Sequence, residues 1–261
     1  MHLKAFNKYA HQYDDHFTNS LIGKIQRQQV YDYLKTLNFF SNKKVLEINC
    51  GTGEDAKTLS KFASKVYATD ISEQMIDIAK LKNKNNSIEF IPCSIQNIPN
   101  KYINANFEVI FSNFGGLNCL DANELKEFSI QLPTYINHNA DLVLIIMGTK
   151  CILEKFYFIL KFDIKKAWRR KQRHGIETFL NEEVFKTYYY SPKQIKIIFK
   201  PNFNVIKIKP IALFVPPSYF ESFIKKHPIL FKLLIKLDSV FIRFNFLANY
   251  SDHYLIHLKR I

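Results

Sequence analysis

Lys44-Val45-Leu46-Glu47-Ile48 is a short apolar run that ends directly on Asn49-Cys50-Gly51-Thr52-Gly53, and a helical segment, Ala56 to Phe62, follows. Strand, glycine turn and helix in that order open a βαβ unit. Glycine is needed there because a side chain would block a ligand from the turn backbone, and because the turn visits positive φ at little cost. A second strand, Lys65 to Thr69, ends on Asp70, and Ser72 is positioned to cap a helix from Glu73 to Leu81. The unit then repeats, with strands at Ser87 to Pro92, Phe107 to Phe111 and Asp141 to Met147 and a helix at Asn123 to Leu132. Alternation of this kind implies a parallel sheet covered on both faces.

The flanks follow other rhythms. Phe6, Ala10, Tyr13 and Phe17, then Ile22, Ile25, Val30, Leu34 and Leu37, recur at helical steps, so the first forty residues read as helix. After Gly148, Cys151 to Arg173 is expected as one long amphipathic helix whose end, Lys165 to Lys171, is basic. Tyr188-Tyr189-Tyr190-Ser191 leads into a helix (Pro192 to Phe199), a strand (Phe203 to Phe214), a second amphipathic insertion and a closing strand, His253 to Leu258.

Composition narrows the classes. With 47% hydrophobic and 23% charged residues, 9 Pro and 7 Gly, the 261-residue chain is neither disordered nor linker-dominated. Cys50, Cys93, Cys119 and Cys151 form no C-x-x-C pair, so no disulfide framework or thiolate metal site is expected. A formal charge of +14 invites a nucleic-acid reading, yet only six of the 37 basic residues are arginine, the usual bidentate reader of bases and phosphates. Met1 to Asn19 is polar, without the apolar segment of a signal peptide. Pro228 to Leu247 is broken by Lys232, Lys236, Asp238 and Arg243 and does not span a bilayer. A cytoplasmic setting is expected, with peripheral contact at the inner membrane surface as a further possibility.

In an open α/β sheet the ligand sits at the carboxyl ends of the strands, where the chain order reverses. Gly51 and Gly53 lie there, and Asp70, nineteen residues beyond Gly51, is placed to accept hydrogen bonds from two ribose hydroxyls. The pattern reads as a site for an adenosine-containing cofactor, against the simpler reading that Asp70 caps its neighbouring helix. Glu54, Asp55 and Glu47 surround the turn with negative charge where a pyrophosphate needs the least. A cofactor with a cationic amino group and a sulfonium suits that surround better than a dinucleotide.

Val45-Leu46-Glu47-Ile48-Asn49-Cys50-Gly51-Thr52-Gly53 resembles motif I of the class I S-adenosylmethionine-dependent methyltransferases, and Thr69-Asp70-Ile71-Ser72 resembles their acidic motif on strand two. The likeness extends from Phe6-Asn7, Ala10 and Tyr13-Asp14, similar to the opening helix of small-molecule methyltransferases, to the closing strand. It implies an α/β fold: a Rossmann-like, doubly wound seven-stranded sheet, mostly parallel with the last strand antiparallel, carrying helical cap insertions. One domain, 1–261, would comprise a helical lid (1–40), a cofactor-binding core (41–149) and caps at 150–190 and 215–250.

For S-adenosylmethionine the resemblance places Glu47 and the Gly51 backbone at the methionine part, Asp70 at the ribose, Ile71 against adenine, and Phe6 and Tyr13 over the cofactor as a lid. Asn49 stands where the family has glycine, and Ser94 where it usually has an aspartate, in a segment that continues with Ile95. Gly53 completes the turn. Asn113, in the segment Ser112 to Asn118 after strand four, is expected beside the transferred methyl; that segment lacks the Asn-Pro-Pro-Tyr type signature for exocyclic amines, which favours an oxygen or carbon acceptor.

Candidate proton acceptors are His11, His16 and His174, with Tyr13 and the Tyr188 to Tyr190 run able to orient a hydroxyl, whereas His253 and His257 on the closing strand read as structural. Asn118, Trp168 and Tyr188 are the expected substrate contacts. In Pro228 to Leu247 a polar stripe of Lys232, Lys236, Ser239 and Arg243 faces a broad apolar surface, and Ile152, Phe156, Leu160 and Ile164 repeat the design. Such helices either pack on the sheet or cap an apolar substrate and rest on an anionic bilayer. The leading expectation is methyl transfer to an apolar or aromatic small molecule, quinone-, polyketide- or lipid-like. An RNA methyltransferase using the Lys165 to Arg173 cluster and a non-catalytic S-adenosylmethionine-binding module are the alternatives.

Overall fold

The computed structural model describes residues 2–37, 40–172, 174–180 and 183–261. Seven strands, β1 (Lys44–Ile48), β2 (Lys65–Asp70), β3 (Ile88–Pro92), β4 (Phe107–Ser112), β5 (Ile136–Met147), β8 (Phe203–Ile211) and β9 (His253–Arg260), form one sheet; β6 (Ile176–Leu180) and β7 (Glu183–Thr187) form a separate hairpin. The order across the sheet is β3-β2-β1-β4-β5-β9-β8. Pairs within β1 to β5 are parallel, and β9 runs antiparallel to both β5 and β8. Six strands therefore share one direction and the last strand of the chain opposes them, the Rossmann-like arrangement that the sequence implies.

The strands are apolar almost throughout because both faces are covered. Val45, Val109, Val143 and Leu255 join Ile22 and Val30 from the N-terminal helices on one side, while Leu46, Ile110, Leu142 and Ile256 join Phe128 and Phe199 on the other. Successive residues of a strand point to opposite faces, so neighbours such as Val45 and Leu46 serve different cores. Registers Ile48↔Thr69 and Ile48↔Ser112 bring the ends of β1, β2 and β4 level. Asn49, Asp70 and Asn113 therefore stand on one rim at the point where the sheet order reverses.

The helices are α1 (His2–Tyr13), α2 (Leu21–Leu37), α3 (Glu54–Leu59), α4 (Glu73–Lys82), α5 (Ile98–Tyr102), α6 (Ala122–Gln131), α7 (Ile152–Leu160), α8 (Ile164–Ala167), α9 (Pro192–Phe199), α10 (Glu221–Lys226) and α11 (Pro228–Phe241). Ser72 caps α4 as expected, its hydroxyl accepting from the Met75 amide at 3.2 Å. The first forty residues are two helices rather than one, joined by a π turn at Asp14–Thr18.

The long helix expected from Cys151 is broken. Phe162 takes a left-handed φ of 58°, and Asp163 accepts from the Lys166 amide at 2.9 Å, which caps a new helix. Arg169 and Arg170 then fold back to pair with Glu154 on the first turn of α7. Arg173, at the expected end, lies outside the described residues. The region 150–190 is consequently not all helical, since it closes with the β6–β7 hairpin. In the second insertion Asp238, buried on α11, accepts from the Leu213 and Phe214 amides and from Gln29, tying this cap to the sheet and to α2.

Candidate active site

A cavity of about 400 Å³ opens over the strand ends, within the range of small-molecule sites. Asn49, Asp70, Ile71 and Ile95 line it from the sheet, Phe6 and Tyr13 from α1, and Phe114, Met147, Arg169 and His253 from the far side. Of the residues singled out for the cofactor, six thus meet in one space. Gly51, Gly53, Glu47, Asn113 and Ser94 are not among its lining residues.

Asp70 is fixed before any ligand arrives. One carboxylate oxygen accepts from the Gly51 amide and the other from the Ser72 amide, each at 2.9 Å. A carboxylate has about four lone-pair sites, so one on each oxygen is left for a pair of vicinal hydroxyls. Burial pushes its carboxyl up, and the amides of Ser72, Gly51 and Ile71 work against that shift. Gly53 has φ 79°, and a Cβ there would meet the Phe90 ring at 2.8 Å, so any other residue is strained at this position.

Glu47 is buried within β1, and its Oε2 has no hydrogen-bond partner. Burial raises its carboxyl well above the ordinary range, and the negative charge of Asp55 adds to the shift. Asp55 itself is fully engaged, receiving Arg27 Nε at 3.0 Å, the Tyr31 hydroxyl at 2.5 Å and Asn113 Nδ2 at 3.1 Å. An orphan carboxyl oxygen in an acidic surround fits a cationic ammonium, and the open valences of Asp70 fit a ribose.

Asn49 adopts φ 60°, a left-handed conformation that asparagine tolerates. Its side chain occupies the space beside Gly116, where any Cβ would overlap it. Asn49 and Gly116 thus share one space, which a side chain at 116 would contest.

The N-terminal segment is latched over this rim. Asp14 accepts from Thr52 Oγ1 and from Lys82 Nζ, both at 2.6 Å, and Ser72 Oγ donates to Asn7 Oδ1 at 2.6 Å. Phe6 packs on Phe185 of β7 with ring centroids 5.3 Å apart. Tyr13 lies tilted against Phe17, and burial raises its phenol well above the usual range.

The other candidates lie elsewhere. His16 is exposed and bonded to the Tyr9 hydroxyl, and His11 and His174 are exposed as well. Asn118 is buried and its carboxamide is fully used: Nδ2 donates to the Met147 and Tyr188 carbonyls and Oδ1 accepts from the Met147 amide. Trp168 and Tyr188 border two outer grooves and not the central cavity. Of the expected substrate contacts, Asn118 thus clamps β5 to the chain at 188, and Trp168 and Tyr188 lie at the outer grooves.

His253, read from the sequence as structural, lines the cavity instead. It is the first residue of β9, and because β9 is antiparallel its start lies at the carboxyl ends of the other strands, opposite Met147. Its Nδ1 is 3.1 Å from Asp252 Oδ2. Asp252 is anchored by Arg170 Nη2 at 2.6 Å and Gln26 Nε2 at 3.0 Å. Burial opposes its ionisation, but His253 and Arg170 outweigh that and hold its carboxyl far below the usual range. His257, four residues on, is structural as expected, held between Tyr33 and Asp141.

Residues 45–133 match the family model described as a methyltransferase domain. The chain is 27% identical over 244 residues to an uncharacterized protein of Methanocaldococcus jannaschii, covering 84% of this chain and 85% of that one. It is 30% identical over 125 residues to malonyl-[acyl-carrier protein] O-methyltransferase 2 of Coxiella burnetii, covering 46% of this chain and 47% of the relative, so that likeness spans about half of either protein. Among solved structures, the complex of DhpI with S-adenosylmethionine and HEP superposes with a TM-score of 0.62 at 14% identity, over 100% of this chain and 96% of that one. An S-adenosylmethionine-dependent methyltransferase of Mesorhizobium loti gives a TM-score of 0.58 at 11% identity, over 88% and 97%.

Proposed function

Because this chain belongs to the class I S-adenosylmethionine-dependent methyltransferases, we propose that it methylates an oxygen or carbon of an apolar or aromatic small molecule. The observation that carries the reading is the division of the cavity. Its lining includes Asp70 and Asn49 for the cofactor, and Phe17, Phe114, Met147 and Phe185 beside the polar groups of Arg169, Arg170, Asp252 and His253. Apolar walls joined by convergent polar groups suit a compact, largely apolar acceptor that carries a polar group such as a hydroxyl.

S-adenosylmethionine supplies a methyl on a sulfonium, already activated for displacement, so the protein's task is alignment, exclusion of water and handling of a proton. Asp70 holds the ribose, Glu47 the ammonium, and Ile71 and Ile95 the faces of adenine. Phe6 and Tyr13 close over them, kept in place by the Asp14 latch. On the acceptor side His253 takes the proton of a hydroxyl at Nε2, to which no described residue hydrogen-bonds, while Asp252 beside Nδ1 stabilises the imidazolium that forms.

The test is a transfer assay with S-adenosylmethionine and a panel of hydroxylated aromatic, polyketide-like and isoprenoid compounds, with S-adenosylhomocysteine read by mass spectrometry. Turnover on a hydroxyl-bearing member is expected. Transfer to RNA or to amines alone, or cofactor binding without turnover on any panel or extract, overturns the reading.

A further inference from the structure

Two grooves on the outer face of the first cap are lined by lysines and large exposed hydrophobic residues. The first, about 370 Å³, is bordered by Lys150, Lys155, Phe156, Trp168, Lys171 and Tyr250. The second, about 850 Å³, shares Thr149, Lys150, Arg170 and Lys171 with it and adds Lys193, Lys196 and Phe246. The only carboxylate among their lining residues is Glu154, which is already held by Arg169 and Arg170. None of these five lysines forms an ion pair among the described residues; Lys155 sits 4.4 Å over the Trp168 ring and Lys150 5.3 Å over Tyr250.

The apolar members stand out into solvent: Phe156 is 57% exposed, Phe246 75% and Trp168 38%, and Leu160 beside the first groove on α7 is 78% exposed. Phe156 and Leu160 are one turn apart and so share a face of α7. Lysines around protruding aromatic and aliphatic side chains match the interface of an anionic bilayer, where ammonium groups meet headgroups and the hydrocarbon enters below them. A phosphate backbone would be met by the lysines, but it offers nothing to Leu160 or Phe156.

We propose that this face docks the protein on an anionic membrane surface. The same cap reaches the active site, since Arg170 borders both grooves and the central cavity. A molecule dissolved in the bilayer would therefore leave it beside the wall of the site. Docking itself does not depend on the acceptor proposed above.

Trp168 is the single tryptophan of the chain and lies in the patch, which makes it a built-in probe. The experiment titrates vesicles of equal phosphatidylglycerol and phosphatidylcholine into the full chain and follows its emission. A blue shift, quenching by brominated acyl chains, and loss of both in high salt or with pure phosphatidylcholine are expected. The variant Lys150→Gln/Lys155→Gln/Lys171→Gln should weaken partitioning roughly a hundredfold, at about fivefold per lysine. Phe156→Ser/Leu160→Ser/Phe246→Ser should abolish the quenching. In both variants calorimetric binding of S-adenosylmethionine stays unchanged, which separates failed docking from a failed cofactor site. An emission unmoved by anionic vesicles, variants that partition as the parent does, or a response to RNA or to an acidic protein without one to vesicles overturns the proposal.

Discussion

Replacing Glu47 with glutamine should make the unliganded protein more stable and the cofactor bind more weakly, and both follow from one buried oxygen. In the folded chain the carboxyl is desolvated and its Oε2 has no partner, so its pKa lies well above the ordinary 4.5. A carboxyl raised in this way keeps a proton that the unfolded chain releases. Stability is therefore full below the unfolded pKa and is lost as pH rises from there through the folded pKa, at about 1.4 kcal/mol per pH unit. Glutamine carries no such proton, so the variant should gain on the parent with that slope as pH is raised. Binding runs the other way. An ammonium that pairs with the ionised carboxylate is worth about 1.5–3 kcal/mol, so the variant should lose roughly ten- to a hundredfold in affinity. In the parent the proton must leave before the pair forms, and affinity should rise with pH; in the variant it should be flat. Denaturant melts and calorimetry of S-adenosylmethionine between pH 6 and 8.5, in buffers of different ionisation enthalpy, read both quantities. A variant less stable than the parent at the upper end, or equal affinities with no proton release, refutes the account.

His253→Gln should lower kcat for a hydroxyl acceptor by about 10²–10⁴, the usual contribution of a positioned base, while the Kd for S-adenosylmethionine stays the same. A rate loss that vanishes at high pH, where the acceptor ionises unaided, would mark the proton as the cause, and an unaltered rate would remove His253 from the chemistry. Gly116→Ala forces a methyl into the Asn49 side chain and should cost about 1–3 kcal/mol in a denaturant melt. Asn49→Gly in the same chain should recover most of that loss, a coupling that a double-mutant cycle measures; additive costs would show that the two positions do not share the space.

The glycine turn, Ser72 and Asp70 are legible in the sequence because each acts through its own backbone or through residues a few positions away. The break after α7 has one local sign, Asp163, which caps α8. Phe162 is an ordinary helix residue, and the long-range part of the turn, Glu154 gripping two arginines fifteen and sixteen positions later, has no local signature. The β6–β7 pair escapes for a related reason, since the sequence between Leu180 and Glu183 holds no Asn-Gly or Asp-Gly pair of the kind that signals a hairpin locally. Asn118 misleads in the opposite way. A polar residue in the segment after β4 resembles a substrate contact until its three hydrogen bonds are seen to close on Met147 and Tyr188.

His253 was within reach of the sequence by one further step. If the last strand opposes the others, its first residue must lie where theirs end, and residues four positions later must lie in the core. His253 and His257 are that pair: one borders the cavity beside Phe114, with ring centroids 5.4 Å apart, and the other is enclosed by Tyr33 and Asp141. Strand direction, more than residue type, decides which of two histidines on one strand can meet a substrate. The same reasoning makes Asp252 part of the site, because it immediately precedes the strand that opposes β5.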